Sequence, residues 1–306
     1  MRDPVTSSGT VTRGTRDLPL RRLAYGALTS AALAFLLFAP ALPVQATSVA
    51  YHTLIIEWDG KQAMLTAGDL LAREDVETVT IEDPSAYPRQ KMAYKALKMA
   101  ALMKELGISG DRNMQFIALD GFTANIDAQL LLNTSEEGAI AYLAIEDPKD
   151  PWPPHRSGDG TAGPFYLFWL HPERSNIGRE EWPYKFNRVV ARDPVEKLYP
   201  EIVPAGSAPD HRVLEAGFRV FVKNCFTCHT LNGVGPGRMG PDLNYPMSPV
   251  EYFRDGVLRK YIRDPQSVRL HPRTAMGPFP PELISEEEMD QLLAYLRYMS
   301  TRKKKP

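Results

Sequence analysis

Cysteine is almost missing from this chain. Only Cys225 and Cys228 occur in 306 residues. No wider disulfide framework can exist, and any chemistry that needs a thiolate must use one of these two. An excess of charge of either sign is missing as well. Lys and Arg number 36 against 37 Asp and Glu, for a formal net charge of -1. That balance provides no electrostatic drive toward nucleic acid or an acidic surface, so no nucleic-acid partner is expected. Nothing repeats internally, so no repeat architecture is expected. Proline, by contrast, is abundant at 27 residues, which favours loops and linkers over long uninterrupted helices. The chain is 43% hydrophobic and 24% charged, ordinary for a globular protein. Its length suits one large domain or two small ones.

The first fifty residues resemble an export signal. A polar stretch ends in Arg21-Arg22, and residues 23–39 then run without a charge, rich in Ala and Leu. Pro40 and Pro43 interrupt the run, and Val44-Gln45-Ala46 resembles a small-residue cleavage site. Residues 1–46 are therefore expected to be a signal peptide. The alternative is an uncleaved anchor formed by residues 23–46, which are enough to span a bilayer. Either way the protein is expected to be exported, with a periplasmic location.

Beyond the signal the pattern divides the chain in two. Residues 51–192 mix strand-like and helix-like segments. Residues 51–58 are β-rich and end at the turn signal Asp59-Gly60. Residues 67–73 suggest a short helix and 76–81 a strand. Residues 92–106 suggest a helix, because Met99, Leu102, Met103 and Leu106 fall at i, i+3, i+4 and i+7 and Gly107 can stop it. Residues 114–119, 140–145, 165–170 and 186–190 are β-rich runs between loops. The sum predicts an α+β fold. Residues 193–209, with four prolines and Gly206, suit a semi-extended linker. Residues 210–300 are expected to form an all-α domain that folds alone when started near Ala208. Residues 301–306 form a basic tail expected to be solvated and frayed.

The chemistry-bearing motif is Cys225-Phe226-Thr227-Cys228-His229. The spacing C-x-x-C-H is that of covalent haem attachment. Two thiols three positions apart can each add to a haem vinyl group, and the following histidine then lies under the iron. A redox dithiol would prefer a thioredoxin-like βαβ context. Half of a zinc site would need a second ligand pair, for which His211 and His271 are isolated candidates.

The surroundings of the motif resemble the class I cytochrome c family over residues 210–300. Residues 213–224 suggest a helix leading into the motif, with Gly217 and Phe221 placed as in that family. Residues 286–299 suggest the last helix, with Ser285 as N-cap and Glu288 completing a capping box. Gly240-Pro241-Asp242-Leu243 resembles the family's Gly-Pro-x-Leu segment. The resemblance implies that the Pro241 carbonyl accepts a hydrogen bond from the ligand histidine, although Gly235-Pro236 is a competing match. Met276, in Thr274-Ala275-Met276-Gly277-Pro278, sits where the family carries its second axial ligand. Met239, Met247, Met289, Met299 and His271 are the alternatives. The implied cofactor is one covalent haem c, attached at Cys225 and Cys228, with His229 and Met276 on the iron.

The first segment resembles the sulfite oxidase-type molybdopterin-binding domain. Phe116-Ile117-Ala118-Leu119-Asp120-Gly121-Phe122, Gly163-Pro164-Phe165-Tyr166-Leu167 and Trp182-Pro183-Tyr184-Lys185-Phe186-Asn187-Arg188-Val189 follow that family's order. Members hold molybdenum through a cysteine thiolate, and no cysteine precedes Cys225, so a molybdenum cofactor is not expected here. His155, Arg156, His171 and Arg174 are candidates to line a former anion pocket, or are simply loop residues. The expected function is electron transfer by a mono-haem cytochrome. Redox proteins, as part of a respiratory or photosynthetic membrane complex, are the expected partners. The alternative is a redox enzyme whose N-terminal domain oxidises a small substrate and passes electrons to the haem.

Overall fold

A computed structural model describes residues 51–254, 256–270 and 276–304. The expected signal or anchor at residues 1–46 and the candidate ligand His271 lie outside them. The first half is sheet-rich. Its strands are β1 (Thr53–Trp58), β2 (Lys61–Thr66), β3 (Glu77–Asp83), β4 (Gln90–Lys98), β5 (Asn113–Ala118), β6 (Thr123–Asp127), β7 (Ile140–Ile145), β8 (Phe165–Leu170) and β9 (Tyr184–Arg192). They run in the order β2-β1-β9-β8-β7-β4-β3; β5 joins through β9, and β6 pairs with β5. Among the described strands only β1 and β9 pair in parallel. β7 is buried along its whole length, which explains its continuous apolar run.

One expected helix is half strand. Residues 90–98 form β4, and the helix α1 covers only Met99–Leu106. Met92, Tyr94 and Ala96 are buried while Lys91, Ala93 and Lys95 are exposed, a period of two. Met, Ala, Lys and Leu favour helix by propensity, but pairing with β3 on one side and β7 on the other overrides that preference. Gly107 ends α1 at a φ of 68°, in keeping with its place after the last apolar residue.

The second half is helical: α2 (His211–Asn224), α3 (Val257–Arg263) and α4 (Glu286–Ser300). Leu292, Leu293, Tyr295, Leu296 and Met299 are buried along α4 and pack in one cluster with Phe218 and Phe221 of α2. The two helices meet at Gly217, where an added Cβ would lie 2.1 Å from the Gln291 carbonyl oxygen and 2.8 Å from the Tyr295 Cβ. Only glycine permits that approach. Ser285 caps α4, its hydroxyl accepting from the Glu288 amide at 3.2 Å while the Glu288 carboxylate accepts from the Ser285 amide.

The linker is not a tether. Residues 195–198 and 200–202 form helical turns, and Val195 and Ile202 are buried in the helical core. Tyr295 Oη donates to the Ile202 carbonyl at 2.7 Å, and the Ala205 amide donates to Tyr298 Oη at 3.0 Å. The prolines here shape turns that dock, because the apolar residues between them find a surface to bury against. The tail is docked as well over its described part. Asn232 Nδ2 donates to the Arg302 carbonyl at 3.1 Å, the Arg302 guanidinium lies 3.6 Å from the Tyr298 ring centroid, and Lys303 pairs with Glu251. No helix among the described residues is long and apolar enough to cross a membrane.

Candidate functional site

α2 ends at Asn224, and the chain turns directly into the motif. Cys225 caps the helix through its amide to the Phe221 carbonyl at 2.8 Å, and the His229 amide reaches the Cys225 carbonyl at 2.9 Å. This one extra turn puts Cys225, Cys228 and His229 on a common wall. They line a cavity of about 930 Å³ together with Met239, Gly240, Pro241, Leu243, Met276 and Phe279. Such a volume lies toward the upper end for cofactor sites.

The histidine is fixed from behind. His229 Nδ1 lies 2.7 Å from the Pro241 carbonyl oxygen. A carbonyl can only accept, so Nδ1 carries the proton and Nε2 keeps its lone pair for ligation. Burial pushes the His229 pKa below its ordinary value, against the raising effects of the Pro241 carbonyl and Asp242. Gly240 forms a cradle for the ring: an added Cβ would lie 2.3 Å from Cε1 and 2.5 Å from Nδ1. The competing Gly235-Pro236 match makes no such bond to the ring, because Pro241 takes it.

The loop behind Pro241 is itself tied down. The Asp242 carboxylate accepts from the Gly233, Asn244 and Tyr245 amides at 2.7, 2.8 and 2.7 Å and from the Thr230 hydroxyl at 2.8 Å. Burial alone would push this carboxyl up, but these donors outweigh it and hold it below the usual range.

The thiols differ from those of a redox dithiol. Burial pushes Cys225 up to about 12 and raises Cys228 as well, whereas a reactive dithiol needs a depressed pKa. Among the described residues no second ligand pair for zinc gathers beside the motif; the other candidate, His271, lies outside them. His211 sits at the start of α2, 3.8 Å from Glu215, and no group of three or more His, Cys, Asp or Glu gathers among the described residues.

Of the methionines, Met276 and Met239 line the cavity. Met239 is 43% exposed, with its sulfur 4.0 Å from Cys228 Sγ on the histidine side. Met247 is exposed and away from the cavity, and Met289 and Met299 are consumed in the helical core. Met276 packs against that same core at the cavity edge. A bare imidazole nitrogen, a thioether, two thiols on one turn and an apolar wall that includes Ile262, Leu292 and Leu296 together fit a haem bound through both cysteines.

The sheet domain contributes to the same cavity. Ser85, Asp120, Phe122, Arg156, Arg179, Glu180, Trp182 and Tyr184 belong to its lining. Asp120, Phe122, Trp182 and Tyr184 lie in the segments that resemble the molybdopterin-binding domain, but nothing in the sequence signals that they face the motif. Arg179 and Glu180 carry no sequence signal at all. Of the four anion-pocket candidates, only Arg156 lines the cavity. His155 is buried beside Tyr184, with Ser157 Oγ 2.8 Å from its Nδ1. His171 and Arg174 lie at a separate turn, where Arg174 donates to the Glu136 carbonyl.

Residues 214–300 match the family model described as cytochrome c. No curated protein matches the chain. The C-terminal part is thus a c-type cytochrome domain, and such a domain implies covalently bound haem c, iron and electron transport.

Proposed function

We propose that the protein is a mono-haem electron-transfer protein, exported and docked on a membrane redox complex. In this reading Cys225 and Cys228 would hold the haem covalently, and His229 and Met276 would ligate its iron. The observation that carries it is the His229 ring, held by the Pro241 carbonyl at 2.7 Å on the same cavity wall as Cys225 and Cys228, with Met276 in the lining. Held by one nitrogen and one thioether ligand, a bound haem would supply single-electron exchange without an open coordination site. Pro241 orients His229 and raises its basicity. Ile262, Phe279, Leu292 and Leu296 exclude water, which favours a higher potential.

The test is spectroscopic. Oxidised protein should be low-spin and show the weak near-infrared methionine–sulfur band. Met276→Ala should abolish the band and lower the potential. If the band survives there and disappears in Met239→Ala, the sixth ligand is Met239.

The sheet domain is, on this proposal, a sulfite oxidase-type scaffold without its metal-binding thiolate, kept as a docking body that presents the haem domain to its partner. The polar side chains of Asp120, Arg156 and Tyr184 on the shared wall favour a second reading, in which that domain oxidises a small substrate beside the haem. Metal analysis of native protein separates the two. The docking reading expects substoichiometric molybdenum and no reduction of the haem by sulfite; stoichiometric molybdenum or rapid reduction supports the enzyme.

A further inference from the structure

Loops are held by what touches them on every side, and the segment after Met276 is touched from both domains. From within the helical domain, Arg263 Nη1 donates to the Phe279 carbonyl at 2.8 Å, and the Phe279 amide donates to the Ile262 carbonyl at 3.2 Å. From the sheet domain, Arg179 Nη1 donates to the Pro278 carbonyl at 3.0 Å. The same guanidinium lies over the Phe279 ring, 4.7 Å from its centroid. It also packs on Gly277, where an added Cβ would come within 3.1 Å of Nη1. Glu180 aims the guanidinium, accepting from Nε at 3.0 Å and from Nη2 at 2.8 Å. Three consecutive residues after Met276 thus rest on one side chain from the other domain.

The same short stretch of the sheet domain holds the opposite wall. Glu181, next to Glu180, lies 3.5 Å from Lys223 Nζ, and Lys223 also donates to the Asn176 carbonyl. Lys223 precedes Cys225 by two residues. Residues 176–181 therefore brace the cavity from the cysteine–histidine side and the methionine side together. Arg179 belongs to a turn of residues 179–181, and the amide of Gly178, which caps it, donates to the Glu181 carboxylate at 2.6 Å. The brace is part of a closed structure and not a free arm.

We infer that Arg179 is a positioning residue for the sixth haem ligand: through Gly277, Pro278 and Phe279 it holds Met276 in place, so the sheet domain sets the axial ligation of the haem in the neighbouring domain. The inference rests on Met276 being that ligand. Removing the guanidinium deletes one hydrogen bond and one cation–π contact to the loop after Met276, together with its two bonds to Glu180; on a partly exposed site each is modest, and their loss enlarges the fraction of molecules in which Met276 is displaced.

Exogenous imidazole reads that fraction directly, because it takes the sixth position only where Met276 has left it, and its apparent affinity scales with the open population. The experiment titrates imidazole into the ferric full-length holoprotein, as wild type, Arg179→Ala, Arg179→Lys and Arg188→Ala. Arg188 pairs with Glu57 in the sheet domain, outside the cavity lining. Arg179→Ala should bind imidazole about tenfold more tightly, equivalent to about 1.4 kcal/mol of lost ligand retention. Arg179→Lys should fall between it and wild type, and Arg188→Ala should match wild type. In guanidinium chloride, Arg179→Ala should lose the methionine–sulfur band well before its far-ultraviolet circular dichroism changes, which a general loss of stability would not produce. If Arg179→Ala does not yield folded holoprotein, Arg179→Lys carries the test alone. A wild type lacking the band overturns the ligand assignment and this inference with it. A wild type that has the band, with both Arg179 variants matching it in imidazole affinity, overturns the inference alone.

Discussion

The two halves of the molecule solve the problem of an interior differently. The sheet domain fills its own. Trp169, Tyr94, Tyr166, Phe116, Phe165, Phe168 and Phe186 are fully buried there. The fully buried carboxylate of Asp83 is saturated there: it accepts from the Tyr94 and Tyr166 hydroxyls at 2.6 and 3.2 Å and from the Ser85 and Tyr87 amides. The core of the helical domain is centred where α2 crosses α4. Leu258, Ile262, Phe279, Leu292 and Leu296 border both that core and the cavity. An interior that also walls a cofactor cavity depends on the cofactor and on what braces the rim. The chain supplies braces from outside the domain, in the docked linker and in residues 176–181. A family resemblance limited to residues 210–300 therefore describes the chemistry but not all of the support.

The largest effect should come from removing the cofactor's attachment. Cys225→Ala with Cys228→Ala should leave protein whose helical domain melts early or is degraded, while the sheet domain keeps its own transition in calorimetry. A single unchanged transition in the double variant would mean that both interiors are equally self-sufficient.

Gly217→Val comes next. Its Cβ would meet the Gln291 backbone oxygen at 2.1 Å, and backbone cannot swing aside as a side chain can. Forcing the helices apart should cost about 3 kcal/mol or more, seen as a lower denaturation midpoint for the haem-bound domain. A loss under about 1 kcal/mol would show that the α2–α4 crossing is loose.

Truncation sharpens the boundary. A start near Ala208 removes Val195, Tyr199 and Ile202, so that fragment should be less stable and hold haem in lower yield than one starting at Asp193. Ile202→Ala in the full chain should cost about 2–4 kcal/mol for a fully buried side chain. Equal stability of the two truncations would restore the independent domain that the prolines suggest.

The smallest effect concerns acid. Asp242 has a folded-state pKa below its unfolded one. Its contribution is fully present above the unfolded value, about 3.9, and is lost as pH falls through the folded value. Asp242→Asn should lower stability near neutral pH and flatten the dependence on acid, measured by chemical denaturation at several pH values. A variant that parallels wild type at every pH would remove Asp242 from the account.

How much of the molecule is legible in the sequence follows from distance along the chain. Cys225, Cys228 and His229 are contiguous or nearly so, and their shared cavity follows from one turn of backbone. Pro241 lies twelve residues beyond His229, within a loop short enough for its Gly-Pro-x-Leu pattern to be read. Ser285 and Glu288 satisfy each other within one turn. β4 reads as helix because its side chains favour helix, while its strand partners, β3 and β7, are fixed by pairing that no local window contains. β2 and β6 leave no clear signal because each is a short hairpin arm whose partner defines it. Arg179 is far from Met276 in sequence, in a stretch with charges on both sides, and no local pattern marks a guanidinium that packs on another domain.

The central claim is the covalent haem, and its most direct measurement is acid–acetone extraction of the full chain purified from a host that attaches haem, followed by a pyridine haemochrome spectrum of the residue. The account predicts one haem per chain retained in the protein, with the spectrum of two thioether links. Haem that passes into the acetone would contradict it.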